Sequence, residues 1–246
     1  MSGHSKWATM HRKKEKIDAA RGKVFTKLGR EIIVAVREGG GPSVDANMRL
    51  KEAVNRAKAA NMPNDNIKRL IDKAAGALDG SNYEEITYEG YGPGGIAVIT
   101  QVMTDNRNRT APEIRHIFDR GGGTLGAAGS VAWMFSRKGI IIVEDLGKKT
   151  EDDVMMVALD AGAEDMSGED GVYEIVTAPQ DITAVREALE AAGIAIASAE
   201  TMMVPANTTE ISGEVAEKLV KLIETLEDND DVQNVYHNAD IPEEFM

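Results

Sequence analysis

The hydrophobic period of this chain changes once, near Tyr83, and that change bounds what it can fold into. Before it, apolar residues recur at helical spacing; after it they alternate, or run in strand-sized blocks separated by glycine. A helix is predicted over residues 18–38, closed by Gly39-Gly40-Gly41-Pro42. Phe25, Leu28, Ile32 and Val36 form one stripe on it, while Lys16, Lys23, Lys27, Arg30 and Arg37 gather on the opposite side. Arg21 breaks the partition. A second helix over 45–60 offers Met48, Leu50, Val54 and Ala57 for burial, and Asn61-Met62-Pro63 ends it, because the residue before proline is pushed out of the helical region. A third, carrying Ile67, Leu70, Ile71 and Ala74, is expected to end at Gly76 in a left-handed cap.

Beyond Tyr83, strands are expected over 83–89 and 96–104, around the turn Gly90-Tyr91-Gly92-Pro93-Gly94-Gly95. Thr110-Ala111-Pro112-Glu113 reads as a capping box opening a helix that stops at Gly121, and 131–135 reads as another strand. Residues 139–204 then read as strand, helix (capped by Thr150 with Asp153), hairpin at 168–171, helix (181–192) and strand, a split βαβ, ferredoxin-like order. A closing helix over 213–226 and a strand over 231–237 have no sheet of their own and are expected to complete that of 83–136. The expected fold is α+β: an N-terminal three-helix domain plus two α/β domains, the third ferredoxin-like and inserted in the second. The boundaries are 1–79 for the basic arm and bundle, 80–137 plus 205–246 for the middle domain, and 138–204 for the insert.

Charge divides at the same place. The chain has a net charge of −13, which on its face argues against a nucleic-acid partner. Residues 1–80 hold 17 Lys+Arg against 9 Asp+Glu, whereas 81–246 hold 11 against 32. A basic head on an acidic body points to nucleic acid; a solvated, basic helical surface is the plainer alternative. There is no cysteine, hence no disulfide, thiolate nucleophile or Cys-type zinc site, and the four histidines are scattered. The start, Met-Ser-Gly-His-Ser-Lys-Trp, does not read as a secretory signal, and no apolar run reaches membrane-spanning length, so a cytoplasmic protein without membrane contact is expected.

Gly90 to Gly95 satisfies G-x-G-x-x-G, but a strand follows where a dinucleotide site needs a helix, so the run reads as a turn. The five glycines of 121–129 imply left-handed turns or close backbone approach, either to a ligand phosphate or to a neighbouring strand. In Thr104-Asp105-Asn106-Arg107-Asn108-Arg109-Thr110, the arginines can meet phosphate, or Asp105 can hold them in an internal network. Glu224, Glu227, Asp228, Asp230 and Asp231 miss the calcium-loop spacing and read as a solvated helix end and turn. Trp7 either stacks on a nucleobase while Lys6, Arg12, Lys13 and Lys14 meet phosphates, or packs the arm onto the bundle. No catalytic triad order or H-E-x-x-H helix is present, and no pair of carboxylates is singled out.

Several stretches resemble the YebC family, which includes the mitochondrial translational activator of cytochrome oxidase subunit one. They are Gly3-His4-Ser5-Lys6-Trp7, Ala20 to Leu28, Asn61-Met62-Pro63, Tyr88 to Gly95, Thr104 to Thr110, Leu125-Gly126, Gly129-Ser130-Val131, Leu226-Glu227-Asp228 and Asp230 to Tyr236. Two departures stand out: His11 lies one place earlier than in the family's arm, and Gly123-Thr124 stands where an Asn commonly precedes Leu-Gly. The resemblance implies the same three-domain arrangement and no enzymatic activity. It also implies a probable transcriptional regulator that binds DNA or, alternatively, a ribosome-associated translation factor easing elongation at proline-rich stretches. The expected contact residues are Lys6, Trp7, Arg12, Lys13, Lys14, Lys16, Lys23, Lys27, Arg30, Arg107 and Arg109. No cofactor, metal or small-molecule substrate is expected; the expected partner is nucleic acid, either DNA or ribosomal RNA, or the ribosome that carries the latter.

Overall fold

The computed structural model describes residues 21–76, 83–169 and 171–245. Three helices come first: α1 (Arg21–Glu38), α2 (Met48–Ala59) and α3 (Asn64–Ala75). Ile32, Val36, Leu50, Ala53, Ala57 and Ile67 are buried together, with Phe25 and Leu28 at the edge, as the apolar stripe requires. Asn47 ties two of the helices. Its side-chain oxygen caps α2 at Leu50 N–H (3.0 Å), and its amide donates to the carbonyls of Ala35 (2.7 Å) and Gly41 (2.8 Å). Asn61 adopts a left-handed φ of 59° ahead of Met62-Pro63. Gly76 does not: its backbone is extended, so the expected left-handed cap is absent.

The chain continues through β1 (Glu84–Tyr91), β2 (Ala97–Thr104), α4 (Arg107–Arg120), β3 (Thr124–Leu125), β4 (Phe135–Val143), α5 (Glu151–Asp160), β5 (Ala163–Glu169), β6 (Val172–Thr177), α6 (Ile182–Ala191) and β7 (Ser198–Pro205). It closes with β8 (Thr209–Glu210), α7 (Gly213–Asp228), β9 (Val232–His237) and β10 (Ala239–Asp240). The middle sheet has the order β3-β1-β2-β9, so the C-terminal strand does complete it beside β2. Phe118 and Ile114 of α4 and Leu219, Leu222 and Leu226 of α7 pack on one face of this sheet. The second sheet, β5-β6-β4-β7, is antiparallel throughout and has the ferredoxin-like order, with α5 and α6 on one face. The chain is therefore α+β, with a helical N-terminal domain and two α/β domains, the third set within the second.

Two further local expectations change, and one element is new. Helix α4 begins one turn earlier than the Thr110 capping box suggests: Asn106 is the N-cap, accepting from Arg109 N–H at 3.1 Å, and Thr110 is buried inside the helix. Residues 131–135 are not a strand of their own. A 3-10 turn (Ala132–Met134) leads into β4, which pairs with β7 from Phe135 opposite Pro205 onward. The small parallel pair β8–β10 has no counterpart in the sequence reading.

Candidate nucleic-acid interface

The cationic stripe of α1 does not stand alone. Lys23, Lys27 and Arg30 lie about one turn apart and meet the C-terminal end of α7. Lys23 Nζ donates to the Asp228 carbonyl (3.2 Å) and lies 3.6 Å from its carboxylate; Lys27 Nζ donates to the Glu227 carbonyl (2.7 Å). A helix C-terminus leaves carbonyls without intrahelical partners and carries partial negative charge, so lysines of another domain complete it. Arg30 goes further in. It donates to the Asp230 carbonyl and to Asp231 Oδ1 (2.9 Å), and stacks over Tyr83 at 5.6 Å.

Asp231 is the meeting point. Its other oxygen accepts from Arg109 Nη2 (2.7 Å) and from the Thr110 hydroxyl (2.6 Å). Burial alone would raise this carboxyl, but the Thr110 hydroxyl and the Arg109 and Arg30 guanidiniums outweigh it, leaving it below the usual carboxylate range. One buried carboxylate thus joins α1, α4 and the turn before β9. The acidic run of 224–231 is not merely a solvated turn; its last member is an interdomain anchor. Of the two loop arginines, Arg109 is held here and by Asp105 (3.3 Å), whereas Arg107 is exposed on the first turn of α4.

The glycine-rich stretch has a different organiser. Glu89, buried at the end of β1, accepts the N–H groups of Gly129 (2.7 Å), Val131 (2.8 Å) and Ala132 (2.8 Å). Burial pushes this carboxyl up, and the three amides together hold it below its ordinary value. A Cβ on Gly123 would stand 2.6 Å from the Tyr91 carbonyl, and one on Gly90 would stand 2.6 Å from the Thr124 carbonyl. Gly123 therefore lets two backbones touch, as the neighbouring-strand reading expects, while Gly122 and Gly129 take left-handed φ of 75° and 84° and Gly121 leaves room for Leu222. Pro93–Gly95 forms a tight turn with Gly94 at a φ of 75°, not the start of a nucleotide-binding helix.

Trp133, unmarked by any motif, is 76% exposed. Its indole N–H donates to the Ser130 carbonyl (3.1 Å), and the Tyr91 hydroxyl donates to the same oxygen (3.1 Å). A cleft of about 650 Å³ lies where the three domains meet, lined by Arg49 and Arg56 of α2, Gln101, Arg137, Arg186 and Gln233 among others. Two of its arginines are matched by carboxylates: Arg49 pairs with Glu38 (3.0 Å) and Glu85, and Arg56 with Glu31 (3.0 Å). Exposed cations of the helical domain include Lys51, Lys58, Lys68 and Arg69. Lys6, Trp7, Arg12, Lys13, Lys14 and Lys16 lie outside the described residues. Among the described residues no group of three or more acidic or histidine side chains is arranged to hold a metal, and no helix is long and apolar enough to cross a membrane.

A bundle whose cations reach across to an acidic α/β body defines a three-domain protein with one basic and one acidic end. Residues 5–77 match the family model described as the TACO1/YebC protein N-terminal domain, and residues 83–239 match that of the TACO1/YebC second and third domain. The chain belongs to the TACO1/YebC family. It is 59% identical over 242 residues to a "Probable transcriptional regulatory protein" of Pelotomaculum thermopropionicum, covering 98% of this chain and 99% of the relative. A protein of the same name from Moorella thermoacetica is 58% identical over 248 residues, covering 100% and 98%. The crystal structure of a conserved hypothetical protein from Aquifex aeolicus superposes with a TM-score of 0.81 at 47% identity, covering 92% of this chain and 93% of that one.

Proposed function

We propose that this chain is a non-enzymatic, cytoplasmic regulator of gene expression that acts by binding nucleic acid through its basic N-terminal region. The division of charge carries the reading: 17 cationic against 9 acidic residues in 1–80, on a body where acids outnumber cations 32 to 11. Relatives of 58–59% identity bear the name of probable transcriptional regulatory proteins, which supports the regulatory role. In this reading the arm residues Lys6, Arg12, Lys13, Lys14 and Lys16 grip phosphates, with Trp7 beside them. Lys23 and Arg107 lie at the margin, while Lys27, Arg30 and Arg109 mainly hold the domains together.

A ribosome-associated translation factor, easing elongation at proline-rich stretches, is the second reading, and one observation favours it. With its cationic side docked on α7, α1 cannot lay that side into a DNA groove. Contact led by phosphates and shape suits folded RNA better. Ribosome co-sedimentation in rising salt, beside a DNA mobility shift with competitor, separates the two. Replacing Lys13 and Lys14 by Ala is expected to flatten the salt dependence by roughly 0.7–0.9 log units per contact per log salt. An unchanged slope removes the arm from the interface.

A further inference from the structure

Trp133 and Tyr91 form a surface that neither the α1 stripe nor the arm explains. An exposed indole commonly keeps its N–H for water or a partner. Here that N–H is already donated to the Ser130 carbonyl, and the Tyr91 hydroxyl is donated to the same oxygen, each at 3.1 Å. Both polar edges are engaged by one carbonyl oxygen, so the rings have mainly their faces and carbon edges to offer. Trp133, at 76%, is the most exposed of the large apolar side chains described, and Tyr91 beside it is 39% exposed.

The mount beneath them is stiff. Glu89 holds the amides of Gly129, Val131 and Ala132 on either side of Ser130, and the Glu89 carbonyl accepts from Gly126 N–H at 2.7 Å. The surroundings are also low: Gly126, Ala127, Ala128 and Gly129 are exposed and have no side chain long enough to cover an indole. Exposed Arg120 ends α4 three residues before Gly123, which lies against the Tyr91 carbonyl, and exposed Arg137 follows Trp133 on β4.

We propose that Trp133, with Tyr91 beside it, is a stacking platform for an unpaired nucleobase of a single-stranded nucleic acid. A pre-positioned aromatic face with its polar edge internally satisfied suits a ligand that presents a flat π-surface, and every base has one. Arg120 and Arg137, both exposed, bracket Trp133 in sequence, and the phosphates flanking a stacked base need cations. The inference rests on the nucleic-acid reading above and adds a second contact point, in the middle domain, to the basic arm.

The test uses the full-length protein and single-stranded homopolymer RNA. Because the chain has two tryptophans, Trp7→Phe leaves Trp133 as the sole indole reporter. Saturating RNA, followed independently by anisotropy of a labelled strand, is expected to quench Trp133 emission. Trp133→Ala is expected to weaken binding roughly fivefold to a hundredfold, with the salt slope unchanged and the melting temperature retained. Trp133→Phe, which keeps an aromatic face, is expected to restore much of that loss. RNA that binds with full affinity to Trp133→Ala, leaving the Trp133 signal untouched, overturns the platform while the nucleic-acid reading stands. No binding of any RNA or DNA strand at low salt overturns both. A Trp133 signal that responds only to a protein partner reassigns the surface and overturns the proposal.

Discussion

Asp231 and Glu89 are both buried carboxylates of the middle domain, both held below their ordinary pKa, and they act on opposite kinds of partner. Asp231 binds side chains: guanidiniums from α1 and α4 and a hydroxyl from α4, the farthest of them 201 residues away. Glu89 binds only backbone, three N–H groups of one loop about forty residues on. The first fixes how two domains sit together; the second fixes the path of a segment too rich in glycine to hold one by itself. A side-chain anchor is selective for its partners and is lost with any of them. A backbone anchor tolerates sequence change in its loop wherever the backbone conformation is kept.

The largest expected effect comes from removing the side-chain anchor. Asp231→Ala leaves Arg30, whose side chain is 14% exposed, without its carboxylate, and should cost about 3–5 kcal/mol in denaturant unfolding. Glu89→Gln should cost less, about 1–3 kcal/mol, since one amide oxygen can still accept. It should speed hydrogen exchange at Gly129, Val131 and Ala132, which Asp231→Ala should leave protected. If both variants loosen the same amides, the two anchors are one cooperative unit and the contrast fails. Gly123→Ala, whose new methyl meets the Tyr91 carbonyl, should cost about 1–3 kcal/mol without disturbing the α1–α7 contact.

Acid sharpens the comparison. Each carboxyl has a folded pKa below its unfolded one, so its contribution is complete above the ordinary carboxylate range and is lost as pH falls through the folded value. Stability measured against pH should therefore decline on acidification, and less steeply in Asp231→Asn and Glu89→Gln than in the parent. The smallest effect belongs to Lys23→Ala. Its pair with Asp228 joins side chains 51% and 78% exposed, so a change below about 1 kcal/mol is expected, weakening further in salt.

What the sequence discloses depends on how local the cause is. The α1 stripe and its buried Ile32 and Val36 follow from period alone, and the Thr150–Asp153 capping box is present as read. Thr110 and Glu113 carry the same signature, yet Asn106 caps the helix and Thr110 is drawn inward by Asp231. That contact spans 121 residues and leaves no mark in the local pattern. The α1 cations are legible as a stripe, but their docking on α7 is not, because a stripe looks the same whether it faces phosphate or helix carbonyls. Trp133 sits in an apolar run, Val131 to Phe135, where exposure has no signature; only the hydrogen bond to Ser130 shows which way it faces.

The pairing of Phe135 with Pro205 has a consequence for how the chain is assembled. Entry to and exit from the third domain are cross-strand neighbours, about 5 Å apart between Cα atoms. The whole excursion between them is thus a closed loop whose two ends meet in one cross-strand pair. A short turn bridging those two residues would restore the path of the remaining chain. The third domain is topologically detachable, a removable module on a frame that closes without it.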